Sequence, residues 1–346
     1  MEISQIIQST MNLLSEEKEW EERFQKYIQN IAINHSKIGK RSFRKPAGLS
    51  LYSSVGTKGK YYDLRFRGQS VATVVETATG KVELRPKSDT NKKYFGITLH
   101  ENVDWISTEA SNFRSSFKKE SLKFTSENTN ARRKYPKSEE HRVENCLLRE
   151  FNKKLGKEKA LCNIQPIKLY RLFFQMPTPL KASTHDPEYQ KKGGGIDILA
   201  RIKPLNGISR ICVMEVKDEN KPAESQATAM SQAITYAVFI AHLLRSKSGQ
   251  QWWDFFMGRS LTAIKDKDGE TRIPMIKEMP KTLDIDVVTI MPKGETKEFC
   301  NEDIRLEGLE GFDITLHCHS LYYDSEVFQK DETFIFSGTY PNQLKK

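Results

Sequence analysis

Two apolar runs constrain this chain more than any other stretch: Gly193-Gly194-Gly195-Ile196-Asp197-Ile198-Leu199-Ala200-Arg201, and Ile211-Cys212-Val213-Met214-Glu215-Val216-Lys217. Each has the length of a single strand, and each is interrupted by a carboxylate. Side chains alternate along a strand, so Glu215 and Lys217 project to one face while Cys212, Met214 and Val216 project to the other. If the runs pair as neighbours, Asp197 lies beside Glu215 with Lys217 one pleat further on. Taken alone, a Glu-x-Lys pair is more often a solvated strand edge. The apolar setting changes the balance, because a buried, unpaired charge is costly and a cluster of them asks for a metal.

Paired carboxylates suit phosphodiester cleavage. They hold a hard, oxygen-preferring cation such as Mg²⁺, which binds the scissile phosphate and makes a bound water nucleophilic. A lysine beside them orients that water or offsets charge on the phosphorane. Downstream, Gln226 to Leu244 has apolar residues at helical spacing, with Gln232 and Tyr236 one turn apart on one face. Upstream, Ser138 to Phe151 predicts an amphipathic helix capped by Ser138, with Val143, Leu147, Leu148 and Phe151 as its buried stripe. Glu144 and Glu140 lie at the edge of that stripe, one turn apart.

These elements resemble the PD-(D/E)XK nuclease superfamily, which includes many restriction enzymes, RecB-like nucleases and Holliday junction resolvases. The resemblance covers about residues 135 to 325: Gly-Ile-Asp-Ile and Glu-Val-Lys match its two strand motifs, and Gln232 with Tyr236 resembles the Gln-x-x-x-Tyr helix of the RecB-like branch. It implies an α/β restriction-endonuclease-like core, a mixed central sheet flanked by helices. It also implies a catalytic set of Asp197, Glu215, Lys217, Glu144, Gln232 and Tyr236. The metal ligands would be Asp197, Glu215, the Val216 carbonyl and Glu144, with Glu140 the second choice for the helix glutamate. Mg²⁺ is the implied cofactor, Mn²⁺ an acceptable substitute, and a 5′-phosphate the implied product. The family's Pro-Asp dipeptide is replaced here by Ile196-Asp197, which bears on the subfamily more than on the chemistry.

The 346 residues suffice for two domains, and the net charge of +10 is concentrated at one end. Residues 1–135 hold 24 Lys and Arg against 15 Asp and Glu, and the remainder is nearly balanced at 31 against 30. The expected organisation is a basic α+β accessory domain at 1–120 for nucleic-acid or partner recognition, a linker at 121–137 and a catalytic domain at 138–346. The accessory domain reads as a helix over Ile3 to Ile33, a basic stretch Lys37 to Pro46, and an antiparallel meander. Its expected strands are Tyr61–Arg67, Val71–Thr77, Lys81–Arg85 and Tyr94–Leu99, followed by a helix over Trp105–Lys119. Arg65, Arg67, Arg85, Lys87, Lys92 and Lys93 crowd one end or face of this sheet as the expected nucleic-acid contacts. The catalytic half adds expected strands at Ile164–Gln175, Leu283–Met291 and Phe312–Tyr323. Trp252, Trp253, Phe255 and Phe256 form an aromatic knot expected in a core or interface.

Several function classes lack their signatures. There is no Walker loop, Rossmann-type glycine turn, His-Glu-x-x-His helix or Ser/Cys nucleophile motif. Cys146, Cys162, Cys212, Cys300 and Cys318 are scattered, which fits a reducing compartment and no zinc ribbon. His317 and His319 share a strand face, and His185 sits in the loop before Asp197, but neither has the spacing of a metal site. The start has no export signal, and no apolar run reaches the length of a membrane span, so a cytoplasmic protein without a membrane partner is expected. The function expected is a metal-dependent nuclease, first of all a DNA endonuclease, in restriction, antiviral defence or repair. Nucleic acid, DNA first, is the expected partner, and a homodimer or partner protein is compatible. Two alternatives stand beside it: a non-catalytic nucleic-acid-binding or assembly protein of the same fold, and a nuclease gated by its N-terminal domain.

Overall fold

The amphipathic stretch from Ile3 to Ile33 folds as two helices, α1 (Ile3–Glu16) and α2 (Glu19–Ile33), in the computed structural model of the chain. The structure describes residues 3–33, 48–77, 79–125, 139–152, 164–169, 172–182, 187–191, 194–202, 209–218, 224–258, 264–265, 271–272, 278–294, 301–307 and 313–338. At the break between the helices the Trp20 indole donates to the Leu14 carbonyl at 2.9 Å. Trp20 and Phe24 then reach Phe239 with ring centroids 5.8 and 5.0 Å away.

Alternating sequence after residue 48 gives a meander of β1 (Leu49–Gly56), β2 (Gly59–Phe66), β3 (Gln69–Glu76) and β4 (Val82–Pro86), each antiparallel to the next. The short β5 (Val103–Asp104) pairs with β4. Leu51, Leu64, Phe66, Val74 and Leu84 pack with Phe113 and Phe117 of a covering helix, α4 (Thr108–Thr125). The expected strand Tyr94–Leu99 is not formed. Its beginning belongs instead to α3 (Ser88–Phe95), which has Asp89 in its first turn, Lys92 and Lys93 in its last, and Gly96 at φ 65° as the left-handed stop.

The second sheet runs in the order β16 (Asn301–Leu306), β17 (Asp313–Tyr323), β15 (Thr282–Pro292), β12 (Arg210–Val216), β11 (Ile198–Ile202), β6 (Ile164–Pro166), with β18 (Phe336–Gly338) also on β17. It is mixed: β6, β11 and β12 are antiparallel, whereas β12, β15 and β17 are parallel. Its central strands are apolar on both faces, as a two-sided sheet requires. Leu199, Ile211 and Val213 pack toward α6 (Gln226–Arg245) and α7 (Gly249–Phe256), together with α1 and α2. Ile198, Ala200, Cys212 and Met214 pack instead with Val143, Leu147 and Phe151 of α5 (Glu139–Phe151). The knot of Trp252, Trp253, Phe255 and Phe256 is buried in the first of these cores. By length and composition α6 can cross a membrane, contrary to the sequence reading, but most of it is covered by the fold.

Packing crosses the expected division between 1–120 and 138–346. The first two helices share the core of α6, and the expected strand Ile164–Gln175 is divided between the sheets. After β6 the chain leaves the second sheet, forms β7 (Lys168–Leu169) and β8 (Leu172–Phe174), and adds to the meander with Phe173 beside Tyr52. Two short hairpins, β9 (Leu180–Lys181) with β10 (Glu188–Tyr189) and β13 (Ile264–Lys265) with β14 (Thr271–Arg272), complete the described strands. The expected linker begins inside α4, and its residues 126–137 lie outside the described residues, as do Ser138, Lys37 to Pro46, His185, Cys162 and Cys300.

The β2–β3 turn presses on the start of α5. Gly68 there has φ 82°, and a Cβ added to it would stand 2.1 Å from the His141 carbonyl oxygen, so only glycine fits. Arg67, at φ 48°, forms an ion pair with Glu332, at φ 53°. Glu332 follows the last helix, α8 (Ser325–Asp331), and also lies 3.8 Å from Arg142 of α5.

Candidate active site

Register places the two strand carboxylates together. Ile198 pairs with Met214 across β11 and β12, which brings Asp197 to the end of β12, where its Oδ2 accepts the Val216 amide at 2.9 Å. Residue 216 was expected to offer its carbonyl to a metal; the contact described is its N–H on Asp197. The first turn of α5 supplies the third acid. Glu140, Asp197 and Glu215 each present an oxygen, all within 4.8 Å of one another, and among the described residues they form the one acidic or His/Cys group with this spacing.

Lys217 is buried beside them. Its Nζ donates to Glu215 Oε1 at 2.9 Å and lies 3.0 Å from Glu224 Oε2 and 3.5 Å from Glu140 Oε1. The Tyr323 hydroxyl donates to the Lys217 carbonyl at 3.1 Å, fixing the backbone just past β12. Burial would favour the neutral amine, but Glu215 and Glu140 outweigh it and hold the Lys217 pKa above its ordinary value. The acids shift upward as well. Burial, then the charges of Glu215, Glu140 and Glu144, raise Asp197 well above the usual carboxylate range, against the Val216 hydrogen bond. Burial pushes Glu215 up to about 7 although Lys217 opposes the shift, and burial raises Glu140 in the same way. One lysine thus serves more negative charge than it can neutralise.

This donor set fits a hard divalent cation. Three carboxylates of one cluster are all-oxygen ligands, and Glu215 Oε2 is buried with no hydrogen-bond partner. The helix glutamate in the cluster is Glu140, not the preferred Glu144. Glu144 is buried against the meander, 3.7 Å from Arg65 Nη1 and 3.3 Å from His141 Nδ1. Of the expected flanking pair, Gln232 is buried with Nε2 3.4 Å from Glu224 Oε2. Tyr236 is buried with a backbone hydrogen bond to Ala182; burial and the nearby Glu215 and Asp197 charges raise its pKa. Sequence reasoning missed Glu224, Tyr323 and Gln226, whose Nε2 donates to Thr289 and Ser320 at 2.7 and 2.6 Å. Glu224 lies in a connection before α6 with no periodic signal to mark it.

The six expected nucleic-acid contacts do not form one surface. Arg65 is 7% exposed, stacked 4.2 Å over the Tyr52 ring, with Nε on Asp63 Oδ2 at 2.7 Å and Nη2 on Gln175 Oε1 at 2.6 Å. Arg67 is part-buried in its pair with Glu332. Arg85, Lys87, Lys92 and Lys93 are exposed, Arg85 with Glu83 3.1 Å away. Elsewhere on the second sheet, His317 sits between Asp303 at 2.6 Å and Asp284 at 3.0 Å, with Arg210 3.7 Å from Asp284 and 3.5 Å from Asp286. No family model, curated protein or solved structure matches this chain.

Proposed function

We propose that this chain is a metal-dependent nuclease with a restriction-endonuclease-like core, acting first of all as a DNA endonuclease in the cytoplasm. The observation that carries the reading is the group of Glu140, Asp197 and Glu215, within 4.8 Å of one another, with the Lys217 ammonium 2.9 Å from Glu215. The order of elements supports it: glutamate helix α5, antiparallel β6, β11 and β12, helix α6, then parallel β15. The resemblance implies a glutamate helix, three strands and a helix in that order, and here β7 to β10 are inserted between the first and second of those strands.

A Mg²⁺ or Mn²⁺ held by Glu140, Asp197 and Glu215 would polarise the scissile phosphate and lower the pKa of a water on it. The chain's own residues do the rest. Val216 N–H keeps Asp197 Oδ2 turned toward β12, and Tyr323 holds the Lys217 backbone. The Lys217 Nζ, charged because its acids keep it so, orients the attacking water and offsets charge on the phosphorane. The attacking water releases a proton to solvent as its oxygen bonds to phosphorus and the bond to the 3′ oxygen breaks, leaving a 5′-phosphate; the departing oxygen takes up a proton from solvent.

The test is cleavage of circular plasmid, linear duplex and single-stranded DNA with Mg²⁺, Mn²⁺ or EDTA, with Asp197→Ala alongside. Metal-dependent nicking or linearisation that the variant lacks is the expected result. Silence on every substrate, with nucleic-acid binding intact, would favour the non-catalytic reading instead. Regulation by the meander is a second reading, resting on the Arg65–Glu144 contact that joins it to the helix of the site.

A further inference from the structure

The polar face of the meander carries a cleft lined by Tyr52, Tyr61, Asp63, Thr73, Lys87 and Gln175, among others. Its chemistry is mixed in a particular way. Tyr61 is 44% exposed, one of few large apolar side chains left so open among the described residues, and Lys87 is exposed too. Asp63 and Gln175 are set by the buried Arg65, which donates to both. Because a guanidinium only donates, Gln175 Oε1 must face Arg65 and its amide N–H groups turn elsewhere. The Gln175 Nε2 stands over Gly195, where an added Cβ would lie 3.2 Å from it, two residues before Asp197.

The cleft therefore abuts the elements that carry the carboxylates. Arg65 reaches Glu144 of α5 at 3.7 Å, the Tyr52 hydroxyl accepts from Asn145 of the same helix at 2.9 Å, and Gln175 borders the strand of Asp197. An open aromatic ring offers a face for a base, fixed amide and carboxylate groups suit a base edge, and a free-standing ammonium suits a phosphate. A continuous duplex keeps its base faces stacked and offers the ring nothing to cover.

We infer that this cleft receives one unstacked nucleoside of the strand whose phosphate lies at Glu140, Asp197 and Glu215, so that the substrate is single-stranded or locally opened. The phosphate's position rests on the nuclease reading above; the base's position rests on the cleft. In EDTA, anisotropy of short fluorescent single-stranded DNA, single-stranded RNA and duplex DNA is measured with the full chain, Tyr61→Ala, Tyr61→Phe and Lys87→Ala. Tyr61→Ala weakens single-strand binding about ten-fold, Tyr61→Phe retains it, and duplex affinity is unchanged by either. The DNA and RNA arms identify the sugar, and Lys87→Ala reduces the salt dependence of single-strand binding. Single-strand binding untouched by Tyr61→Ala, or weakened no more than duplex binding, overturns the inference. Cleavage of the same oligonucleotides with Mg²⁺, with and without Asp197→Ala, separates the two readings. Tyr61-dependent binding without metal-dependent cleavage keeps the cleft and removes the nuclease; Asp197-dependent cleavage with Tyr61-independent binding does the reverse.

Discussion

Two clusters of charge occupy the second sheet, and they differ in how their charge is balanced. At the end of β12, Glu140, Glu215 and Glu224 surround the ammonium of Lys217, and Asp197 lies beside the first two. Across β12, β15, β16 and β17, the acids Asp284, Asp286 and Asp303 face Arg210 and His317 in close pairs. The second cluster is nearly self-sufficient and needs nothing from outside. The first holds an excess of carboxylate in a setting that disfavours it, which separates a group able to hold a cation from an ordinary surface network.

The largest effect should come from Lys217→Ala. Loss of the ammonium should reduce cleavage by about a hundred-fold or more while nucleic-acid binding persists, as a plasmid assay with a parallel binding titration would show. Full activity in this variant would erase the contrast between the clusters. Next in size, Arg65→Ala strands the buried Glu144 and removes a partner of the part-buried Asp63, and should cost about 3–5 kcal/mol in urea unfolding. An effect below about 1 kcal/mol would mean that Arg65 is solvated after all.

Metal and pH sharpen the comparison. The folded pKa values of Asp197 and Glu215 lie above those of an unfolded chain, so the folded state binds more protons and metal-free stability falls as pH rises, toward about 7 for Glu215. His317 is raised by Asp284 and Asp303 against its burial, so its contribution is also present at low pH and fades as pH rises through its folded value. Only the first loss should be reversed by a divalent cation. Melting curves at pH 5 and pH 8 should show a larger Mg²⁺-induced rise at pH 8, and equal rises would count against the carboxylate site. The smallest effect is His317→Ala, expected to cost about 0.5–1 kcal/mol and to leave cleavage unchanged.

What the sequence made legible follows the range of the signals. Asp197, Glu215 and Lys217 were readable because strand alternation and a short connection confine them to one neighbourhood. Glu140 and Glu144 share one helix face, and the choice between them depends on how far α5 slides along β12, which no local pattern records. Arg65 illustrates the same limit: alternation assigns it a face of the meander, but Gln175 and α5, which meet it there, arrive from a hundred residues or so away in the chain. The helix α3 was legible and was missed, since Asp89, the lysine pair and Gly96 together spell a short capped helix.

The pairing of Arg67 with Glu332 joins positions 265 residues apart and bears on the first turn of α5, where Glu140 sits. A nascent chain has made all three acids of the centre well before residue 332 leaves the ribosome. Until then the start of α5 has the β2–β3 turn against it but lacks the carboxylate that Arg67 and Arg142 share. The acidic cluster is thus completed late in synthesis, after all three of its acids have already been made.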